Sequence, residues 1–127
     1  MKSTAPVASA AVAPAYTYRA EVVKVHDGDT ITLDVDLGMR VWLRAQKVRL
    51  AGLNAPELGR PDSKGEASRD ELIRLLTVAK NLVVVQTHKD DTEKWGRWLA
   101  TVFANDPTGA QLNLNQQLLD TGFAIPM

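Results

Sequence analysis

The sequence contains no cysteine. Disulfide scaffolds, thiolate zinc sites and cysteine nucleophiles are therefore excluded. Its two histidines, His26 and His88, are too few for a histidine-rich metal site. Net charge is also missing, because 15 Lys and Arg balance 15 Asp and Glu. A neutral chain has no whole-surface attraction for nucleic acid, although a local basic groove remains compatible with this balance. No apolar run approaches the roughly 18 residues of a membrane span, so no membrane partner is expected. The 45% hydrophobic and 24% charged residues match a globular protein and exclude a disordered, collagenous or coiled-coil chain as the main reading. A chain of 127 residues implies one domain with a core that needs no staples.

Residues 1–16 are rich in Ala, Pro, Ser, Thr and Val, with Pro6 and Pro14 breaking any helix. They read as a disordered arm, and 17–127 as the folded domain. The arm lacks the strongly apolar middle of a secretory signal. That favours an intracellular or virus-encoded protein over a secreted one. Val23 and Val25, then Ile31, Leu33 and Val35, alternate with polar residues around Asp27-Gly28-Asp29, which predicts a β-hairpin. Leu37-Gly38-Met39 is a second turn. Val41, Leu43, Val48 and Leu50 predict a third strand, bent or bulged near Ala45. Gly52 to Asp62 reads as loop. Ser63 and Glu66 have capping-box spacing, and Ala67, Leu72, Leu75, Leu76 and Ala79 predict a helix over about Lys64 to Lys80. A strand at Leu82–Val85, a charged loop from His88 to Gly96, a strand at Trp98–Ala104 and a short final helix capped by Gly122 follow. Five strands with a helix between the third and fourth, plus a short C-terminal helix, predict an α+β OB-fold barrel.

Three segments carry the chemistry. They are His26-Asp27-Gly28-Asp29-Thr30, the stretch from Arg49 to Glu57 (RLAGLNAPE), and Lys94-Trp95-Gly96-Arg97-Trp98-Leu99-Ala100. Each alone is common; Asp27 and Asp29, for instance, are ordinary turn residues. Together and in this order they are specific, and the chain resembles the staphylococcal nuclease family from about Tyr18 to Ala124. The resemblance implies a calcium-dependent nuclease that hydrolyses phosphodiester bonds of DNA, with RNA left open, to 3′-phosphate ends. By position it implies Arg49, Glu57 and Arg97 as the catalytic set. The family's nucleotide-contacting tyrosines fall just past the position of Met127.

The residue types suit that reaction. Glu57 can orient or deprotonate a water. Arg49 and Arg97 can give bidentate hydrogen bonds to phosphate oxygens where charge develops. Calcium takes oxygen ligands, and Asp29, Asn54 and the Ala55 backbone carbonyl are the candidate set. Lys94 and Trp95 are candidate substrate contacts, through charge and stacking. Two positions depart from the family pattern: Asn54 stands where aspartate is usual, and Trp95 where tyrosine is usual. Asn54 removes one negative charge, so weaker calcium binding is expected. Asp91 is a candidate support for Arg97. His26 and His88 read as surface residues rather than ligands, and Trp42 and Trp98 as core or barrel-rim residues. Single-stranded or frayed substrate is expected, because a small open site must reach one sugar–phosphate unit. The alternative is a catalytically weak or inactive OB module that binds single-stranded nucleic acid. A third reading is a barrel that binds another protein. The sequence leaves the oligomeric state open.

Overall fold

The computed structural model describes residues 11–92 and 96–127. Its elements are β1 (Thr17–Asp27), β2 (Thr30–Gly38), β3 (Val41–Leu50), β4 (Leu53–Asn54), α1 (Lys64–Val78), β5 (Leu82–Thr92), β6 (Trp98–Asn105), β7 (Gln111–Asn113), α2 (Leu114–Asp120) and β8 (Ile125–Pro126). The main sheet runs β3-β2-β1-β5-β6-β7, and a parallel pairing of β3 with β6 closes it on itself. This is the expected α+β OB-fold barrel: β1, β2, β3, β5 and β6 form the wall, with α1 between the third and fourth of them. Alternation explains the wall. Ile31, Leu33 and Val35 of β2 are buried, as are Val48 and Leu50 of β3, while Thr32, Asp34 and Lys47 lie on the opposite faces. The expected bulge is present, with Ala45 at φ 55° and the β2–β3 register shifting between Leu33 and Val35.

The second hairpin is a two-residue turn at Met39 and Arg40, both with positive φ. That is the primed turn geometry that suits a right-handed strand twist. The first hairpin differs. Gly28 is not in the left-handed region, so its turn does not need a glycine for backbone freedom. It needs one for space: a Cβ on Gly28 would sit 2.0 Å from the Ser68 hydroxyl and 2.8 Å from the Ala55 methyl.

Four sequence expectations are corrected. The predicted capping box is absent: Ser63 has φ 58° and makes no side-chain cap. Asp62 instead accepts from the Lys64 amide at 3.0 Å, and Glu66 accepts from the Gly59 amide at 3.0 Å. The helix ends at Val78 rather than Lys80, because Lys80 and Asn81 both turn left-handed. The strand begun at Leu82 continues to Thr92, through part of the predicted charged loop, because it pairs with β6 as far as Thr92–Trp98. Backbone pairing there needs no apolar alternation, so residue pattern alone does not mark this part of the strand. Within the predicted loop from Gly52 to Asp62, Leu53 and Asn54 form β4, which pairs with β8. Of the predicted arm, residues 1–10 lie outside the described residues; 11–16 hold no helix or strand and lead into β1.

Helix α1 fixes the two loops that matter below. Gly65, Ser68, Leu72, Leu75 and Leu76 are its buried stripe, at helical spacing. Gly65 packs directly on the backbone of Glu57, where a Cβ would meet the Glu57 carbonyl oxygen at 2.0 Å. Gly65→Ala is therefore expected to destabilise the fold by about 1–3 kcal/mol through overpacking of backbone that cannot retreat. Ser68→Ala should cost almost nothing, because the Ser68 hydroxyl is buried with no hydrogen-bond partner among the described residues. Urea unfolding of the two variants checks both statements; equal losses would mean that the close approach is not what the glycine provides.

Candidate active site

The parallel pairing of β3 with β6 aligns Arg49 with Leu99, two residues beyond Arg97. The β1–β2 turn lies beside them, because Thr30 is the cross-strand partner of Arg49. Asp29 sits at the centre of this cluster. One of its oxygens, Oδ2, accepts from the Ala55 amide at 2.9 Å and from Arg49 Nη2 at 3.3 Å. The other, Oδ1, accepts from the Thr30 hydroxyl at 3.0 Å. That hydroxyl in turn accepts from Arg97 Nη1 at 3.2 Å. Arg49 Nη2 also donates to the Leu53 carbonyl at 3.2 Å and to Asn54 Oδ1. Asp29, Thr30, Arg49, Asn54, Ala55 and Arg97 thus form one connected network.

Glu57 is exposed. It lies along an open groove of about 540 Å³ shared with Asn54, Pro56, Arg60, Lys64 and Phe123. Lys94 and Trp95 lie outside the described residues; Asp91 is in β5, and its expected support of Arg97 rests on a side chain outside the description. His26 is half-buried and shares a 2.7 Å hydrogen bond with the Thr32 hydroxyl. Trp98 packs at the core margin, as expected. Trp42 is on the outer surface, with the Arg44 guanidinium 4.8 Å from its ring centre.

The oxygen donors suit a hard divalent cation in kind: the Asp29 carboxylate and the Asn54 amide oxygen adjoin each other through Arg49 Nη2. Asp27 is next to them, and its Oδ1 accepts from the Asp29 amide at 3.0 Å. Burial, followed by hydrogen bonding to the Asp29 carboxyl, pushes the Asp27 carboxyl above its ordinary range. Two carboxyl groups so close favour a shared proton or a cation. No group of three or more acidic or histidine side chains gathers as a cage among the described residues. Backbone oxygen and water would have to complete the shell.

One residue that holds the site together was missed in the sequence. Asn115, at the start of α2, is buried and uses both ends of its amide. Its Oδ1 accepts from the Val102 amide at 3.0 Å, and its Nδ2 donates to the carbonyls of Ala51 at 2.9 Å and Ala100 at 3.1 Å. It therefore clamps the end of β3 to β6, the strands that carry Arg49 and follow Arg97. The available signal was a polar residue at a position where the leucine pattern demands a buried one.

Thr30→Val tests the network, since it deletes the hydroxyl between Asp29 and Arg97 at nearly constant volume. The expected cost is about 1–2 kcal/mol in denaturant unfolding, since it leaves a buried carboxylate oxygen without its donor. No loss would mean that Asp29 does not depend on this link.

Comparison with known proteins identifies a family. The sequence model of the family described as staphylococcal nuclease homologue matches residues 47–127, a span that includes Arg49, Asn54, Glu57 and Arg97. A thermonuclease of Staphylococcus hyicus is 30% identical over 128 residues, which is 98% of this chain and 68% of the relative. Protein ParB of Escherichia coli is 33% identical over 110 residues, 84% of this chain and 55% of ParB. An uncharacterized protein of Methanocaldococcus jannaschii is 29% identical over 127 residues, 84% of this chain and 58% of that protein. The chain thus spans a little over half the length of the last two.

Proposed function

The chain belongs to the staphylococcal nuclease family, and we propose on that basis that it is a calcium-dependent nuclease acting on single-stranded or frayed DNA, with RNA as a second substrate class. The observation that carries the proposal is the tethering of two guanidinium groups to one step of chain: Arg49 to Asp29, and Arg97 to Thr30. Two guanidinium groups so held form a preorganised receptor for a phosphodiester that gains negative charge as it becomes five-coordinate.

In the proposed reaction, water attacks phosphorus in line with the 5′ oxygen, the P–O5′ bond breaks, and a 3′-phosphate end remains. Glu57, exposed beside the groove, orients that water or takes its proton. Arg49 and Arg97 hold the non-bridging oxygens, and Arg97 also assists the departing oxygen. Asp29 keeps Arg49 in place. Asp29, Asn54 and the Ala55 carbonyl are the residues that would hold calcium, whose positive charge adds stabilisation to the phosphate and orients it.

One observation favours the second reading, a binding module. Arg49 Nη2 is already engaged by Asp29, Leu53 and Asn54, so it has partners without any phosphate. Hydrolysis of heat-denatured DNA across calcium from micromolar to tens of millimolar separates the two. Cutting that disappears in Glu57→Gln and in EDTA supports the nuclease. Salt-sensitive oligonucleotide binding without cutting at any calcium level would establish the binding module instead.

Asn54→Asp restores a negative charge to the ligand set. It is expected to tighten calcium roughly tenfold, about 1.4 kcal/mol, in a calorimetric titration. Unchanged affinity would remove Asn54 from the ligand set.

A further inference from the structure

Positive charge on the outer face of the barrel is arranged in rows. Across β1, β2 and β3, Lys24 stands opposite Thr32, and Thr32 opposite Lys47. Two residues nearer the site, Thr30 stands opposite Arg49, and Arg97 bonds to Thr30. The two rows share a face, because the residues between them, Ile31 on β2 and Val48 on β3, point into the core. Lys24 and Lys47 are both exposed. His26 joins their row through its 2.7 Å hydrogen bond to Thr32. Burial, and then the positive charges of Lys24, Lys47 and Arg97, hold the His26 imidazole below its ordinary proton affinity. Those three cations therefore act on one small region, in a chain whose net charge is zero.

The excess of positive charge ends one row further out. There Arg44 is paired with Asp34 at 3.0 Å, and Asp34 faces Glu21 across the strands. The basic patch is thus a single row beside the site. Successive rows lie two residues apart, about 6.6–6.8 Å along a strand. That is comparable to the separation of adjacent phosphates in an extended polynucleotide.

We propose that Lys24, Thr32 and Lys47, with His26, form a subsite for the phosphate adjacent to the one held at Arg49 and Arg97. The occupant is the sugar–phosphate chain of a single strand, an identification that rests on the nuclease reading above. The two ammonium groups act as point charges. The Thr32–His26 pair presents a hydrogen-bonding group between them. Asp34 and Glu21 make the following position unfavourable, so the footprint gains one phosphate and no more.

The test compares Lys24→Gln and Lys47→Gln with Lys80→Gln, which removes the same charge from an exposed position at the end of α1. Two substrates are used: the dinucleoside monophosphate TpT, with one phosphodiester, and (dT)8. Each patch variant is expected to raise KM for (dT)8 roughly three- to tenfold at low salt, with kcat held, and to reduce the salt slope of (dT)8 binding by about 0.7. TpT hydrolysis should be unchanged, and Lys80→Gln should behave as the parent on both. Equal losses on TpT and (dT)8, or an unchanged (dT)8 salt slope, would overturn the subsite. Fluorescence anisotropy with labelled (dT)8 reads that slope without any cutting. If the parent protein binds (dT)8 and does not cut it, a reduced slope in the patch variants still supports the subsite while the nuclease reading fails.

Discussion

The Asp29 carboxylate is only 11% exposed, and a charge that deep needs donors on both oxygens. The donors it has come from distant parts of the chain. The Ala55 amide lies 26 residues on, Arg49 lies 20 residues on, and Thr30 passes the connection to Arg97, 67 residues beyond Thr30. Satisfying one buried carboxylate therefore brings the three sequence segments into a single place. The rest of the barrel is consistent with that demand. The β3–β6 pairing and the Asn115 clamp set the spacing of the strands, and Asp29 then fixes what their ends carry.

Helix α1 does the corresponding work from behind. Its first turns touch the site loops through the smallest groups available, a glycine against the Glu57 backbone and a serine against Gly28. A close helix lets the β1–β2 turn and the Asn54–Glu57 loop share one rigid backing, which matters because an exposed loop alone would not hold Glu57. The Ser68 hydroxyl is buried there with no hydrogen-bond partner among the described residues.

The barrel was legible in the sequence because its strands are half-buried, and half-burial writes alternation into residues such as Ile31, Leu33 and Val35. The same rule explains what was missed. The outer part of β5 carries no alternation, and β4 is only two residues long. Ser63 and Glu66 had capping spacing, yet Glu66 was drawn to Gly59 and Ser63 to a left-handed backbone, outcomes fixed by tertiary contacts. At the site, the motif residues Asp29, Arg49, Asn54, Ala55 and Arg97 do come together. Their order of contact was not legible, because no spacing rule says that Thr30 links Asp29 to Arg97. Gly28 is instructive in another way. Its place in an Asp-Gly-Asp turn marked a hairpin, and its use is to leave room for α1.

Asn54 alters the charge balance of this network in a definite direction. Asp29 and Arg49 neutralise each other as an ion pair. An aspartate at 54 would leave one negative charge over, and that surplus is what attracts a divalent cation. With Asn54 the only further carboxyl beside the pair among the described residues is that of Asp27, so a cation would have to use it or share Asp29 with Arg49. An incoming phosphate faces the opposite problem and gains from it. It would meet two guanidinium groups beside the Asp27 and Asp29 carboxyl groups, and next to them a row with Lys24 and Lys47. On the proposed nuclease reading, a phosphate at Arg49 would compete with Asp29 and Asn54 for one guanidinium, and that competition would couple phosphate binding to cation binding. On that reading, calcium would bind the nucleic-acid complex more tightly than the free protein.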